Sequence, residues 1–164
     1  MAPPPSTVVS PVVVLMVRLL TFICLLISMI ILTTNTENVA LQFGEVKIRF
    51  NDVYAYRYML ATIVIGFAYT LLQTAFTIFQ VSTGNRLAGG CLYQFDFYGD
   101  KVISYMLATG SAAGFGATID LRSGLLGFGS FFNKANAAAS ILLIGFFFSA
   151  VSSVFSALAL PKRG

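Results

Sequence analysis

Arg18 is the residue whose type and position most clearly require a chemical partner. It lies roughly 9 Å, in helical rise, inside the apolar run from Val12 to Leu32. An arginine at that depth in a bilayer is costly, and by default it marks a functional or structural contact. Asp100, at the start of a later apolar run, is the predicted partner. Asp96 is less favoured because it lies further into the preceding loop.

A structural charge pair between Arg18 and Asp100 would neutralise both groups in a medium of low dielectric constant. The planar guanidinium can also contact a carboxylate through two parallel hydrogen bonds. The alternative interpretation is that the Arg18 side chain snorkels to the lipid headgroups and has no protein partner.

The residue types that catalytic and metal sites require are scarce. The chain has no His and only two Cys, Cys24 and Cys91, which excludes histidine-based metal sites and Ser-His-Asp or Cys-His systems. Nucleophile-elbow, P-loop and dinucleotide-binding sequences do not occur. We therefore expect no enzymatic activity, no cofactor and no metal. Cys91 is a candidate for palmitoylation, although an inert free thiol is the simpler interpretation.

The composition places these residues in a membrane protein. Of 164 residues, 57% are hydrophobic and 10% are charged, against ~45–50% and ~25% in ordinary soluble domains. The net charge is +4, but the basic residues are scattered singly or in pairs. We therefore expect no nucleic-acid partner, and we attribute the small basic excess to contact with the lipid bilayer.

Four apolar runs predict four membrane-spanning helices, since crossing ~30 Å of hydrocarbon takes ~20 helical residues. The predicted spans are 12–32, 59–79, 100–119 and 137–160. The predicted connections are outer loops 33–58 and 120–136 and inner loop 80–99. The expected fold is an all-α membrane protein, a four-helix transmembrane bundle that forms a single domain over residues 1–164.

An even number of spans places both termini on the same side of the membrane. Lys and Arg divide equally between the two sides, so the positive-inside rule does not decide which side is cytosolic. The Lys162-Arg163 pair after the last span favours cytosolic termini. In the first outer loop, Val46 to Phe50 alternates apolar and charged residues, which weakly indicates a strand.

Small residues recur at four-residue intervals in the third and fourth predicted spans, where they would let helix backbones approach closely. Packing inside the bundle is the favoured interpretation, and oligomerisation is the alternative. The predicted helix-packing residues are Ala108, Gly110, Ala112, Gly114 and Gly116 in the third span, and Gly145, Ser149, Ser153 and Ala157 in the fourth.

A channel or transporter subunit is the alternative function. Carriers usually place an ionisable group near the bilayer midplane, and the predicted spans have none there. Gln73 is polar, but a glutamine in a span more often forms a hydrogen bond between helices than lines a path. These observations favour a non-transporting membrane protein.

Three stretches of the sequence carry a resemblance to a known family: V-R-L-L-T-F at 17–22, D-V-Y-A-Y-R-Y-M-L at 52–60 and F-Y-G-D-K-V-I-S-Y-M-L at 97–107. The chain resembles the plant Casparian strip membrane protein (CASP) family over essentially its whole length. Arg18 and Asp100 match the charged pair of that family. The first outer loop reads E-N-V-A-L-Q-F-G-E-V-K-I-R-F and lacks the E-S-L-P-F-F-T-Q-F stretch of the Casparian-strip members, so the resemblance is to the CASP-like proteins.

The resemblance implies a four-span architecture related to the MARVEL proteins, in the plasma membrane with cytosolic termini. It also implies homo- and hetero-oligomers with itself and with other CASP-like proteins. The corresponding function is a non-enzymatic scaffold that organises a plasma-membrane domain and guides local cell-wall modification. Cell-wall enzymes are then candidate partners through the outer loops.

Overall fold

The computed structural model describes residues 10–41, 44–83, 89–124 and 127–159. Four of its helices are long and apolar enough to cross a membrane, which confirms the predicted four-helix transmembrane bundle. The helices are α1 Pro11–Thr33, α2 Tyr54–Thr83, α3 Gly89–Gly124 and α4 Gly129–Ala159. A hairpin of β1 Thr36–Leu41 and β2 Gly44–Arg49, followed by a 3-10 turn at Phe50–Asp52, connects α1 to α2.

The apolar runs form helices because hydrocarbon offers no hydrogen-bond partner to the backbone, and a helix pairs those groups within one segment. Helix α1 has 23 residues, or roughly 35 Å of rise, which exceeds the ~30 Å hydrocarbon core. Pro11 lies in the first turn of α1, where its missing N–H removes no hydrogen bond.

The helices extend beyond the apolar runs that predicted them. The predicted inner loop 80–99 is largely helical, since α2 continues to Thr83 and α3 begins at Gly89. The predicted outer loop 120–136 is also short, because α3 continues to Gly124. Apolar composition marks the hydrocarbon layer, whereas polar residues in the headgroup region continue the same backbone hydrogen bonding. Composition therefore underestimated the helix lengths.

Each helix packs against its two neighbours, because contacts join α1 to α2, α2 to α3, α3 to α4 and α4 back to α1. The interior is divided along the bundle axis. The half next to the hairpin is an apolar core that includes Leu25, Leu32, Tyr56, Met59, Ile63, Phe131, Phe132 and Leu142. The half next to the chain termini buries mainly polar side chains.

The hairpin is attached to the start of α4. Its strands pair antiparallel from Thr36 opposite Arg49 to Leu41 opposite Gly44, and β2 covers most of the alternating segment that indicated a strand. Glu37 accepts a hydrogen bond from the backbone N–H of Phe131, in the first turn of α4. A carboxylate there also complements the positive end of the helix dipole. The hairpin therefore has a defined place on the bundle.

Some of the predicted small residues lie at contacts between helices. A Cβ at position 110 would overlap the Thr62 hydroxyl, and a Cβ at position 114 would lie 2.7 Å from Met59 Sδ. Gly110 and Gly114 thus permit the close approach of α3 to α2. Gly145 is buried, and a Cβ there would lie 3.4 Å from Cys24 Cβ on α1.

Other members of the two small-residue stripes face outwards. Ala112, Gly116 and Ala157 are exposed, and a Cβ at position 116 would meet nothing within 4 Å. Ala108 and Ser153 are half-buried, whereas Ser149 is buried. The stripes turn away from the interior because each four-residue step exceeds the 3.6-residue helical turn. Internal packing therefore accounts for only part of each stripe.

Replacement of Gly110 by Ala should destabilise the bundle, because the new methyl overlaps Thr62. Overpacking of this kind costs about 1–3 kcal/mol, and each kcal/mol lowers the Tm by about 2–4 °C. Gly124→Ala is the matched control, since it adds the same methyl to the same helix in open space. Thermal unfolding of both variants in detergent micelles measures the difference. Equal Tm values for the two variants would contradict the assigned contact.

Candidate functional site

A network of buried and half-buried polar side chains joins all four helices in the half of the bundle next to the termini. It lies where α1 and α3 begin and α2 and α4 end, so each helix contributes residues from one end. Its members are Arg18 on α1, Tyr69, Gln73 and Thr77 on α2, Asp96, Asp100 and Ser104 on α3, and Ser149, Ser152 and Ser156 on α4.

The Arg18 guanidinium lies inside the bundle, with 6% of the residue exposed. Its Nη1 is 3.0 Å from the backbone oxygen of Gln73, 3.1 Å from Gln73 Oε1 and 2.6 Å from Thr77 Oγ1. These three acceptors all belong to the last turns of α2. The snorkelling alternative does not describe this geometry, because the charged group is bonded to α2 inside the bundle.

Two carboxylates of α3 face the other side of the guanidinium. Arg18 Nη2 is 3.7 Å from Asp100 Oδ2 and 3.9 Å from Asp96 Oδ2. Both distances exceed that of a hydrogen bond, so the bidentate contact that the sequence suggested is not formed. The less favoured candidate, Asp96, lies almost as near as Asp100. One guanidinium therefore faces two carboxylates.

Asp100 is held mainly by hydroxyl groups. Its Oδ1 accepts a hydrogen bond of 2.9 Å from Tyr69, and its Oδ2 accepts bonds of 2.6 Å from Ser156 and 3.3 Å from Ser152. A carboxylate buried in this way needs its lone pairs satisfied as well as its charge compensated. Residues from α1, α2 and α4 thus meet at one side chain of α3.

Tyr69 and Gln73 close the network between the two charges. Gln73 Nε2 donates to the Tyr69 hydroxyl at 2.9 Å, and that hydroxyl donates to Asp100. The amide therefore contacts Arg18 through its oxygen and Tyr69 through its nitrogen. Gly99 makes room for this arrangement, since a Cβ there would overlap the Tyr69 phenol. Successive hydrogen bonds of this kind polarise and strengthen one another.

The network lines a small, partly open cavity of about 10 Å³, which corresponds to about one water molecule. Its lining residues are Arg18, Thr21, Tyr69, Thr70, Gln73, Asp100, Ser149 and Ser152. Arg18 Nε is buried without a hydrogen-bond partner among the described residues. Ligand pockets typically have ~300–1,000 Å³, so this cavity has no room for an organic substrate. The arrangement is suited to holding helices together.

Gln73 forms the hydrogen bond between helices that the sequence suggested, here with Arg18 of α1, but several other members of the network were not identified from the sequence. Tyr69 and Thr77 lie four residues on either side of Gln73 on α2, a periodicity that could have revealed a polar face. On α4 the inward residues are Ser152 and Ser156, whereas the four-residue stripe had selected Ser153 and Ala157.

Some predictions fall outside the described part of the chain. The Cys91 side chain and the Lys162-Arg163 pair both lie outside the side chains that the structure describes. Cys24, in contrast, is described, and it is a half-buried free thiol on α1.

Comparisons with known proteins agree with the resemblance seen in the sequence. The Casparian strip membrane protein domain matches residues 8–148. The CASP-like protein 4D1 of Ricinus communis is 58% identical over 99% of both chains. The CASP-like protein 4D1 of Glycine max is 53% identical over 98% of this chain and 94% of its own. The CASP-like protein 4D2 of Arabidopsis thaliana is 47% identical over 99% of both. No solved structure matches.

Replacement of Arg18 by Gln should strongly destabilise the bundle, because it leaves the buried Asp100 and the half-buried Asp96 without a cation. Removal of one partner from a buried ion pair costs about 3–5 kcal/mol. The added substitution Asp100→Asn should recover part of that loss, since it removes one uncompensated charge. Arg122→Gln, an exposed arginine on α3, is the control and should stay within about 0.5 kcal/mol of wild type. Denaturant titration in micelles gives these values, and additive effects of the two substitutions would contradict the coupling.

Tyr69→Phe should destabilise the protein by about 1–3 kcal/mol, because it removes one donor to Asp100 and the acceptor of the Gln73 amide. Tyr58→Phe is the matched control. Tyr58 also bonds a hydroxyl on α3, that of Thr109 at 3.0 Å, but at an exposed position. Its loss should cost less than about 0.5 kcal/mol. If the two variants unfold at the same denaturant concentration, the Tyr69 hydroxyl is not part of a buried network.

Proposed function

The chain belongs to the Casparian strip membrane protein family, a family of four-span membrane proteins, and we propose that it is a non-enzymatic scaffold that oligomerises and organises a domain of the plasma membrane. Two features support the proposal, the polar network that joins the four helices and the exposed small residues of α3.

The polar network supports a scaffold because its groups are directed towards one another. Arg18, Asp100 and the hydroxyl groups around them are buried and mutually bonded, and the cavity between them holds about one water molecule. Charges on a transport path need access to water and a way through the protein. A network that joins four helices instead gives a stiff unit that keeps its shape when it packs against neighbours.

The observation that carries the oligomer proposal is the outward face of α3. Ala112 and Gly116 are exposed on one side of the helix, and a methyl group added at Gly116 would meet no other part of the described chain within 4 Å. Small residues on a lipid-facing surface let a second helix approach closely. We infer that this face binds α3 of another copy or of another CASP-like protein.

We further propose that the protein lies in the plasma membrane with both termini in the cytosol. The hairpin Thr36–Arg49 then lies on the cell-wall side, where its exposed charged residues, Glu45, Lys47 and Arg49, are accessible. Cell-wall enzymes could bind this surface, and recruitment of such enzymes would guide local modification of the wall.

Gly116→Leu should weaken self-association by about tenfold, because the added side chain prevents close helix approach, at a cost comparable to overpacking. Ala68→Leu is the control, since Ala68 is also small and exposed but lies on α2. Chemical crosslinking in membranes and fluorescence recovery after photobleaching in plant cells measure association and lateral mobility. The wild-type protein and Ala68→Leu should give crosslinked species and slow recovery, whereas Gly116→Leu should recover faster.

Two results would contradict the scaffold proposal. The first is a wild-type protein that diffuses freely as a monomer in the plasma membrane. The second is ion or solute flux in liposomes reconstituted with the purified chain, which would favour the channel or transporter alternative.

A further inference from the structure

A groove on the outside of α2 is separate from the polar network and from the exposed face of α3. It lies where α2 begins, next to the hairpin, and it has a volume of about 390 Å³. Its lining residues are Asn51, Arg57, Leu60, Ala61, Val64 and Ile65. The groove is shallow and widely open, and it lies at the N-terminal end of the membrane-spanning helix α2.

The part of the groove farther from the hairpin is apolar and follows a single face of α2. The other lining residues of α2 lie three, four, seven and eight positions after Arg57, which places them all on one face of the helix. Val64 and Ile65 are about half exposed, at 49% and 47%, so no other part of the described chain covers them. Ala61, the smallest side chain of the stripe, leaves a depression between its larger neighbours.

The end of the groove nearer the hairpin is polar and positively charged. Within the described part of the chain, no carboxylate forms an ion pair with Arg57. The guanidinium instead lies 5.5 Å from the ring centroid of Tyr54, a side chain that is 82% exposed. Stacking on that ring restricts the guanidinium while leaving its N–H donors free. Asn51 adds an amide donor at the same end.

We propose that this groove binds one glycerophospholipid. Arg57 and Asn51 hold the phosphodiester of the headgroup, and an acyl chain lies along Leu60, Ala61 and Val64. The planar guanidinium presents paired N–H donors that match phosphate oxygens. Along the groove the cation comes first and the apolar stripe follows it towards the middle of the span. A phospholipid has its phosphate and its acyl chain in the same order. An apolar helix from a second copy of the chain would leave the Arg57 guanidinium without a partner.

Photocrosslinking of the full-length chain tests this assignment. The purified protein, depleted of lipid in detergent, is titrated with phosphatidylcholine that carries a diazirine on one acyl chain. We expect saturable crosslinking that maps by mass spectrometry to the peptide containing residues 60–65. Diacylglycerol with the same diazirine chain should label this peptide far less, because it lacks the phosphodiester. An excess of inorganic phosphate should not displace phosphatidylcholine, since phosphate has no chain for the apolar stripe.

Two variants separate the contributions of charge and shape. Arg57→Gln should weaken phosphatidylcholine binding by about tenfold, because it removes the charge-assisted hydrogen bonds to the phosphodiester. Ala61→Leu should weaken it by filling the depression while the charge remains. Arg122→Gln and Ala137→Leu are the matched controls, because they make the same changes at exposed positions on α3 and α4, away from the groove, and both should bind as wild type does.

Three results would overturn the proposal. Diacylglycerol could label residues 60–65 as strongly as phosphatidylcholine, which would mean that the phosphate is not recognised. Arg57→Gln and Ala61→Leu could bind like their controls. Alternatively, crosslinks from this peptide could lead to a second copy of the chain in place of the lipid, which would make the groove a protein interface. None of these results depends on whether Gly116 mediates association.

Discussion

The burial of the Arg18 guanidinium is the constraint on which the rest of this structure depends. A charged side chain inside a bilayer is tolerated only when other groups replace its hydration. Here the replacement comes from Gln73 and Thr77 on one side and from Asp96 and Asp100 on the other. Since these groups belong to two other helices, α1 cannot rotate or slide without losing them. The charge thus fixes the relative positions of α1, α2 and α3.

Asp100 extends the same constraint to α4. Its carboxylate accepts hydrogen bonds from Ser152 and Ser156 as well as from Tyr69. The position of α4 is therefore fixed by the same network. Lipid tails are as apolar as leucine, and apolar side chains therefore give little preference for one helix partner over another inside a membrane. Polar contacts and close packing provide that preference. In this bundle the polar contacts lie in the half next to the termini, while the apolar core and the close approach at Gly114 fill the hairpin half.

The sequence predicted the four helices and placed Arg18 near Asp100, because long apolar runs and a charge within one of them are unusual signals. It did not identify Ser152, Ser156 or Tyr69 as partners of Asp100. Serine and tyrosine are common in membrane helices, and their role depends on the rotation of each helix, which no local pattern encodes. The four-residue stripe likewise led to Ser153 in place of Ser152, because such a stripe drifts by about 40° at each step. Helix ends were missed for a different reason, since hydropathy locates the hydrocarbon boundary and not the last hydrogen bond.

The joining of the four helices through Arg18 can be tested by measuring the proximity of its guanidinium to the two carboxylates in lipid bilayers. Solid-state NMR can detect dipolar coupling between ¹⁵N-labelled guanidinium nitrogens of Arg18 and the ¹³C-labelled carboxylate carbons of aspartate. With Nη2 at 3.7 Å from Asp100 Oδ2 and 3.9 Å from Asp96 Oδ2, we expect clear coupling to both carboxylates, each lost on its own when that residue is changed to Asn. A guanidinium with no such coupling, exchanging its protons rapidly with water, would show that Arg18 reaches the headgroups and that the four helices are not joined through it.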